Sequence, residues 1–234
     1  MRKAALFSLV LALAPALASA RPPVVVELFT AQGCASCSEA NSNLAALAER
    51  PGVLVLTFPV DYWDYLGWTD TFAQPEFAER QKAYVTRLDL REPYTPQVVV
   101  DGHAQTGGRD MEAVERLVAE AAKTRMDPPD MAFIGPRRVD VGYGRAPRGG
   151  AEVWLIRYDP RVQEVTVRKG DNRGRTVEHR NVVRQISKLG VWRGRPTAYR
   201  MPPPEEEGLV TAVIVQAPQS GAVLALAQKD LPEE

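Results

Sequence analysis

The sequence is poor in the residues that build metal sites. Only two of its 234 residues are cysteine and only two are histidine, and neither a second cysteine pair nor a well-placed methionine accompanies them. No segment resembles a nucleic-acid-binding motif, no internal repeat is evident, and the formal net charge is zero. We therefore expect no cofactor, no complete metal site and no nucleic-acid partner.

Long apolar runs are missing beyond the N-terminus, and even residues 4–17 fall short of the roughly 20 residues that a membrane span needs. Arg2 and Lys3 precede this run, and the A-x-A pattern of residues 18–20 follows it. This order is typical of a secretory signal peptide. We predict that residues 1–20 are removed and that the mature chain is periplasmic or secreted, without stable membrane insertion. An uncleaved anchor is the alternative.

The two cysteines, Cys34 and Cys37, form a C-x-x-C motif between the apolar run 24–29 and an alanine- and leucine-rich segment with helical spacing. A C-x-x-C between a strand and a helix is how thioredoxin-like proteins place a redox dithiol. The alternative is a structural staple, but in the chain-entropy model a four-residue loop contributes only about 2 kcal/mol, against about 4.7 for a hundred-residue loop. The spacing therefore favours a redox or metal-binding role.

The first part of the chain, residues 21–125, alternates strand and helix patterns. Apolar runs predict buried strands, and apolar residues spaced three and four apart predict amphipathic helices. The expected order is β-α-β-α-β-β-α, the minimal thioredoxin-like topology. The predicted strands are 24–29, 53–60, 97–100 and 103–106, and the predicted helices are 38–50, 75–88 and 111–123.

The pattern changes after residues 126–130, where prolines and aspartates indicate a linker. Residues 131–234 contain short β-type segments separated by Gly, Pro and Asn turns, which predict a small all-β, sandwich-like domain. The predicted strands are 151–158, 164–168, 176–187, 208–216 and 222–227.

Three loops are expected to meet at one edge of the first sheet. A right-handed crossover makes the first two strands parallel, so residues 30–37 and 61–68 both leave their carboxyl ends. The strand that begins at Gln97 is expected to be antiparallel, which brings residues 94–96 to the same edge. Open α/β sheets bind ligands there, so the sequence predicts a functional site at this edge.

The charged and sulfur groups near this edge have different expected roles. Cys34 precedes the helix, where free backbone N–H groups and the helix dipole favour a thiolate, so we expect it to be the exposed, attacking sulfur. Cys37, one turn inside, is expected to be the less exposed resolving sulfur. Glu27, on the strand behind the helix, is a candidate proton acceptor for Cys37 if it is buried. A carboxylate in a salt bridge is the alternative.

Substrate binding is assigned to the other two loops. A cis bond between Thr95 and Pro96 would leave the backbone of Thr95 free to pair with an extended substrate chain, whereas a trans proline would simply begin an edge strand. Tyr62, Trp63 and Trp68 are candidates for gripping a partner and for shielding the cysteines from water. The hydrophobic lid of a small domain is the other interpretation of these aromatic residues.

Charge is unevenly distributed along the chain. Residues 21–125 carry a net charge of −5, and residues 168–200 carry a net charge of +8. We expect the two regions to neutralise each other across a shared surface, and a binding patch for an acidic partner is the alternative. His179, within the basic segment, is expected to lie on the surface of the all-β part.

Three stretches resemble a secreted bacterial family of unknown function that is assigned to the thioredoxin-like superfamily. They are residues 27–37, 60–68 and 94–102. Parts of the second half are similar to the same family, namely residues 171–175, 181–184 and 212–216. The resemblance implies a thioredoxin-like fold. The chain departs from the family pattern by having Ser38 and Glu39 where two prolines are common, although these residues can still support the first helical turn.

Three functions remain open at this point. The first, which we favour, is an exported thiol–disulfide oxidoreductase that acts on protein thiols or disulfides through Cys34 and Cys37. The second is a soft-metal module that binds Cu(I) through the same thiolates, with His103 as the one nearby additional ligand. The third is a non-catalytic interaction protein with a structural disulfide. No oligomeric state is predicted.

Overall fold

The architecture comes from a computed structural model that describes residues 22–124 and 127–229. The predicted signal peptide, residues 1–20, and the first residue of the predicted linker, Met126, lie outside the described residues. None of the helices in the described ranges has both the length and the hydrophobicity that a transmembrane span requires.

The first half contains the seven predicted elements in the predicted order, with boundaries that differ by at most two residues. A short 3-10 helix, Asp64–Leu66, lies between the second strand and the second helix. The elements are β1 (Val24–Thr30), α1 (Cys37–Ala48), β2 (Val53–Pro59), α2 (Pro75–Arg87), β3 (Gln97–Val100), β4 (Ala104–Thr106) and α3 (Met111–Thr124).

The second half is built from strands, as expected, but it has more of them than the sequence predicted. The strands are β5 (Met131–Phe133), β6 (Arg138–Val141), β7 (Ala151–Asp159), β8 (Gln163–Thr166), β9 (Thr176–His179), β10 (Val182–Trp192), β11 (Thr197–Arg200), β12 (Val210–Gln216) and β13 (Val223–Lys229). The predicted strand 176–187 is two strands, because the chain turns at Asn181, which adopts a positive φ of 52°. The strands β5, β6 and β11 were not predicted, since segments of three or four residues are too short to define a strand pattern.

One mixed sheet of eight strands runs through both halves, in the order β13-β12-β7-β10-β2-β1-β3-β4. The first two strands pair in parallel, and β3 pairs with β1 in the antiparallel direction, as the sequence analysis expected. Two smaller antiparallel sheets accompany it, β11-β6-β5 and β8-β9. The protein therefore has a mixed α/β fold with a large mixed sheet and additional antiparallel sheets.

Four strands of the second half, β7, β10, β12 and β13, extend this sheet instead of forming a separate sandwich. β10 joins the free edge of β2 through the pairing of Val182 with Thr57. The preceding residues strengthen the junction: Thr57 donates its backbone N–H to the carbonyl of Asn181 at 3.0 Å, and Asn181 donates its side-chain amide to the carbonyl of Val55 at 2.9 Å. An edge strand that is buried on both faces needs such partners for its backbone groups. The boundary at residues 126–130 stays a prediction, but the two halves share one sheet.

The two faces of the sheet are covered by different elements. Val24, Val26 and Leu28 of β1 pack with α1 and α3 on one face. Val25 and Phe29 point to the other face, where they join α2 and strands from both halves in a single cluster. The small sheet β11-β6-β5 packs over the second-half strands on the face opposite α2, which produces a local two-layer β packing. The carboxyl ends of β1 and β2, where the cysteine loop lies, are therefore packed against residues from both halves.

Candidate functional site

The C-x-x-C motif lies where the sequence placed it, between β1 and α1. Cys34 and Cys37 form a disulfide with their Cα atoms 5.4 Å apart, and α1 begins at Cys37. Two turns lead into the helix: the backbone N–H of Cys34 donates to the carbonyl of Ala31, and that of Cys37 donates to the carbonyl of Cys34, both at 3.1 Å. The sulfurs are therefore held at the amino end of α1.

The Thr95-Pro96 segment lies at the same edge of the sheet, and its peptide bond is cis, as the sequence analysis expected. β3 starts immediately after it, with Gln97 opposite Phe29 of β1. The buried Gln81 of α2 fixes the segment, because its side-chain amide donates to the carbonyl of Tyr94 and to the side chain of Gln97, both at 2.8 Å. The three predicted loops therefore meet at this edge.

The aromatic segment ties the other two loops together. The indole N–H of Trp63 donates to the hydroxyl of Thr95 at 2.7 Å, and the indole N–H of Trp68 donates to the side chain of Gln32 at 2.9 Å. Tyr62 packs against the core cluster that contains the cysteines, and burial raises its pKa to about 12. These residues were predicted to bind substrate, and that role stays a prediction. In the structure they position the loops on either side of the motif.

Asp70 is a further positioning residue that the sequence analysis did not identify. Its carboxylate accepts the backbone N–H of Gln32 at 2.7 Å and the backbone N–H of Phe72 at 3.0 Å. Burial raises the pKa of Asp70 to about 6, with the nearby Asp64 carboxylate contributing to the increase. The carboxylate thus holds the backbone two residues before Cys34.

The exposure expected for Cys34 is not found. Both cysteines are 0% exposed, and they belong to a core cluster that includes Val60 and Val183. The expectation that Cys34 is reachable from solvent was therefore wrong for this conformation. It rested on the strand-loop-helix pattern of the first half alone, whereas residues of the second half also pack around the motif.

The tip of the β8–β9 hairpin, residues 167–175, packs against the loop that carries Cys34. The buried Asn172 donates its side-chain amide to the carbonyls of Gln32 and Cys34, at 2.8 and 3.0 Å. Next to it, Gly170 lies against Leu66, so close that a Cβ atom on the glycine would be 3.6 Å from the Leu66 Cβ. The tip therefore binds both the cysteine loop and the aromatic segment. We call residues 167–175 the hairpin tip.

The disulfide is nevertheless close to the protein surface. Ala35 and Ser36, the two residues between the cysteines, are exposed. The hydroxyl of Ser36 lies 3.5 Å from the sulfur of Cys34. The disulfide therefore lies directly behind exposed residues of the cysteine loop.

Glu27 occurs in the salt bridge that the sequence analysis held open as the alternative to a proton acceptor. It is buried, and its two carboxylate oxygens accept hydrogen bonds from Nε and Nη2 of the buried Arg80 at 2.5 and 2.8 Å. The hydroxyl of Tyr84 donates to the same carboxylate at 2.5 Å. Burial by itself would lower the pKa of Arg80, but the Glu27 carboxylate raises it above its usual value. A catalytic role for Glu27 stays a prediction, and its observed contacts are those of a buried ion pair.

His179 is buried against α1 instead of lying on the surface, so that expectation was wrong. Its Nδ1 lies 3.3 Å from the side-chain amide of Asn41, whose oxygen accepts a hydrogen bond from the hydroxyl of Thr30 at 2.7 Å. Burial lowers the pKa of His179 to about 4, so the ring is neutral at pH 7. The strand pattern around His179 did not show that β9 lies beside the helix that carries Cys37.

The arrangement offers two sulfur atoms but few further metal ligands. Among the described residues, no group of three or more His, Cys, Asp or Glu side chains could hold a metal ion. His103, the additional ligand considered for Cu(I), follows β3 at the end where Asp101 contacts Val25. This is the opposite edge of the sheet from Pro96, so His103 does not complete a site with the cysteines.

Comparison with known proteins finds one family model and one similar solved structure. A family model described as protein of unknown function, DUF1223, matches residues 25–216. Among solved structures, the chain is similar to an X-ray crystal structure of a protein from Agrobacterium tumefaciens, a structural genomics target, with 30% sequence identity and a TM-score of 0.72. The match covers 90% of this chain and 97% of that chain. No curated protein matches.

Proposed function

Since the chain belongs to the DUF1223 family of proteins of unknown function, its activity must be inferred from its own site, and we propose that it is a thioredoxin-like thiol–disulfide oxidoreductase. The observation that carries the proposal is the placement of Cys34 and Cys37 at the amino end of a helix, with a Thr-Pro segment at the same sheet edge. The helix dipole and the free backbone N–H groups at that position favour a thiolate.

The proposed reaction is a reversible exchange. In the reduced protein, the Cys34 thiolate attacks a substrate disulfide, which forms a mixed disulfide and releases one substrate thiolate. Cys37, deprotonated, then attacks the mixed disulfide, which forms the Cys34–Cys37 bond and releases the second substrate thiolate. Two electrons pass from the protein to the substrate, and the two protons lost by the cysteines are taken up by the two substrate thiols. With a dithiol substrate, the same steps run in reverse.

The substrate is proposed to be a protein chain that lies along the Thr95-Pro96 segment. An extended substrate chain can pair with the backbone groups of this segment. Such pairing would bring the sulfur of the substrate close to the Cys34–Cys37 disulfide. Trp63 and Gln81 hold this segment in place from either side. The exchange also requires access to the buried sulfurs, so the hairpin tip must move away from the cysteine loop during each reaction cycle.

The test is exchange with insulin in the presence of a glutathione buffer. Cys34→Ser is expected to abolish the activity, because it removes the attacking sulfur. Cys37→Ser is expected to accumulate a mixed disulfide, because the resolving sulfur is missing, and mass spectrometry of the intact protein would detect it. Ser42→Ala, at an exposed position on the same helix, is a matched control that should retain the wild-type rate.

Two results would contradict the proposal. One is wild-type activity in both cysteine variants. The other is a reduction potential well below about −300 mV, which is typical of a structural disulfide. Asn172→Ala supplies a further check in the same assay. This change removes the two hydrogen bonds that hold the hairpin tip, so exchange should become several-fold faster if access limits the rate.

We also propose that the protein acts outside the cytoplasm, on the basis of the leader pattern in residues 1–20. An oxidising compartment is where the Cys34–Cys37 disulfide would persist between reactions. N-terminal sequencing of the chain recovered from the periplasm of a Gram-negative host is expected to begin at Arg21. Recovery of the uncleaved chain from the membrane fraction would instead support the anchor interpretation.

A further inference from the structure

The hairpin tip carries an unusual concentration of positive charge, and we propose that it is a docking surface for acidic segments of the protein substrate. This inference rests on the proposed function, since it identifies the class of substrate that the disulfide would meet.

The basic residues of the tip have no oppositely charged partners among the residues that the structure describes. Its four basic side chains are exposed, and none of them forms an ion pair with a described residue. They are Arg168, Lys169, Arg173 and Arg175. Asp171 is the single acidic residue among them, so residues 167–175 carry a net charge of +3. The stem of the hairpin carries two carboxylates, Glu164 and Glu178, which lie opposite each other across the two strands.

Three other basic residues of the same segment form ion pairs. Arg180 pairs with Glu49 of α1 at 2.5 Å, which is the kind of contact between the two halves that the sequence analysis expected. Arg184 pairs with Glu206, and Lys188 pairs with Glu152, both within the second half. By contrast, the four basic residues of the tip form no ion pair with a described residue, and they lie next to the disulfide. The exposed Arg193, Arg195 and Arg200 are the other basic residues of 168–200 without a described ion pair.

The position of the tip relates this charge to the chemistry of the site. Asn172, in the middle of the four basic residues, is hydrogen-bonded to the carbonyl of Cys34. An acidic chain bound to the tip would be held beside the loop that carries Cys34, which raises the effective concentration of the chain at the disulfide. Opposite charges also accelerate the encounter of the two proteins.

An exposed aromatic side chain beside the tip suits a polypeptide partner, because tyrosine is enriched in protein interfaces. Tyr65 is 78% exposed and stacks on Trp63 with a ring separation of 6.4 Å. Its neighbour Leu66 contacts Gly170 of the tip. Tyr65, which stacks on Trp63 and lies beside the basic residues of the tip, suits a protein surface that is both apolar and acidic.

The test measures binding without any exchange chemistry. The probe is a fluorescein-labelled, glutamate-rich peptide that contains no cysteine, and fluorescence anisotropy is recorded with the oxidised mature protein. A variant with all four basic tip residues changed to alanine is expected to bind at least tenfold more weakly at low salt. Because exposed charges are screened, wild-type binding should also weaken as the salt concentration rises.

The matched control removes three exposed basic residues from the same half of the chain, Arg193, Arg195 and Arg200, and should bind like the wild type. Arg193 and Arg195 follow the far end of β10, a strand of 11 residues and therefore about 33 Å long. Equal weakening in both variants would overturn the proposal, because binding would then follow total charge. Binding to phosphatidylglycerol vesicles, but not to the peptide, would also overturn it.

The peptide lacks cysteine and the assay contains no reductant, so its outcome does not depend on redox activity. Failure of the exchange assay with intact peptide binding would overturn the oxidoreductase proposal and leave a docking surface. Normal exchange with insulin, together with no binding of the acidic peptide, would overturn the docking proposal alone.

Discussion

Replacing Arg80 by leucine is expected to lower the free energy of unfolding by about 3–5 kcal/mol. Arg80 is buried, and its guanidinium is the charge partner of the buried Glu27. Without it, the Glu27 carboxylate is left in the core with the Tyr84 hydroxyl as a neutral hydrogen-bond donor. Urea unfolding at pH 7, followed by tryptophan fluorescence, would measure the change.

The physical cause is tested by two further variants. A double variant, Glu27→Gln with Arg80→Leu, should lose less stability than the single change, because no unpaired charge remains buried. Arg50→Leu removes one partner of an ion pair with Glu115, and there the side chains are 54% and 41% exposed, so the loss should be less than about 1 kcal/mol. A double variant that is as unstable as the single one would show that the charge is not responsible.

The second large effect concerns pH, because Asp70 and His179 should influence stability in opposite directions. Burial raises the pKa of Asp70 from 3.8 to about 6. The folded protein therefore binds this proton more strongly than the unfolded chain does. The associated stabilisation is complete below pH 3.8 and is lost as the pH rises through 6, and at about 1.4 kcal/mol per pKa unit it amounts to about 3 kcal/mol.

His179 produces the reverse dependence. Burial lowers its pKa from 6.5 to about 4, so the unfolded chain binds the proton more strongly. The associated stabilisation is complete above pH 6.5 and is lost as the pH falls through 4, again by about 3 kcal/mol. The structural reason is that Nε2 is buried without a partner among the described residues, while the Asn41 amide lies 3.3 Å from Nδ1. A second ring proton would have no acceptor at either nitrogen.

The two contributions nearly cancel in the wild type between pH 4 and 6.5, and single variants should reveal them. Asp70→Asn is expected to become more stable relative to the wild type as the pH rises through this window. His179→Gln is expected to become less stable relative to the wild type over the same window. Urea unfolding at four or five pH values would give the slope of the free energy of unfolding against pH for each protein. A constant loss of stability caused by the substitution does not change this slope. Curves that stay parallel to the wild type would contradict the assigned pKa values.

Much of the first half could be predicted because its elements are defined by local patterns. The run from Val24 to Phe29 is apolar at nearly every position, which is typical of a strand buried on both faces. The helices have apolar residues at three- and four-residue spacing. The directions of the strands then brought Cys34 and Pro96 to one edge, since a parallel pair and one antiparallel strand leave few alternatives.

The second half was less predictable, because local patterns do not indicate which strands pair with one another. Alternating residues in β7 and β12 indicated strands, but they did not indicate that these strands would continue the sheet of the first half. That junction depends on Asn181, whose backbone and side chain both bond to β2. An asparagine between two strand-like segments reads as an ordinary turn in the sequence.

The candidate site likewise contains residues that could be predicted from the sequence and residues that could not. The C-x-x-C motif and the Thr-Pro segment were identifiable because each has a local signature. Asn172 and Asp70 have none, because they act through backbone groups that are distant along the chain. Asn172 bonds to the carbonyl of Cys34, 138 residues away, and Asp70 bonds to the backbone of Gln32, 38 residues away.

The amino-acid sequence by itself therefore determined the helices and strands of the first half, the place of the cysteine pair between a strand and a helix, and the edge at which three loops meet. Tertiary structure alone decided that the disulfide is covered, that Glu27 is neutralised by Arg80 and that His179 is buried beside α1. The physical reason is that residue spacing records which face of an element is buried. The groups that satisfy a buried carbonyl or carboxylate come from elements that only the folded chain brings together.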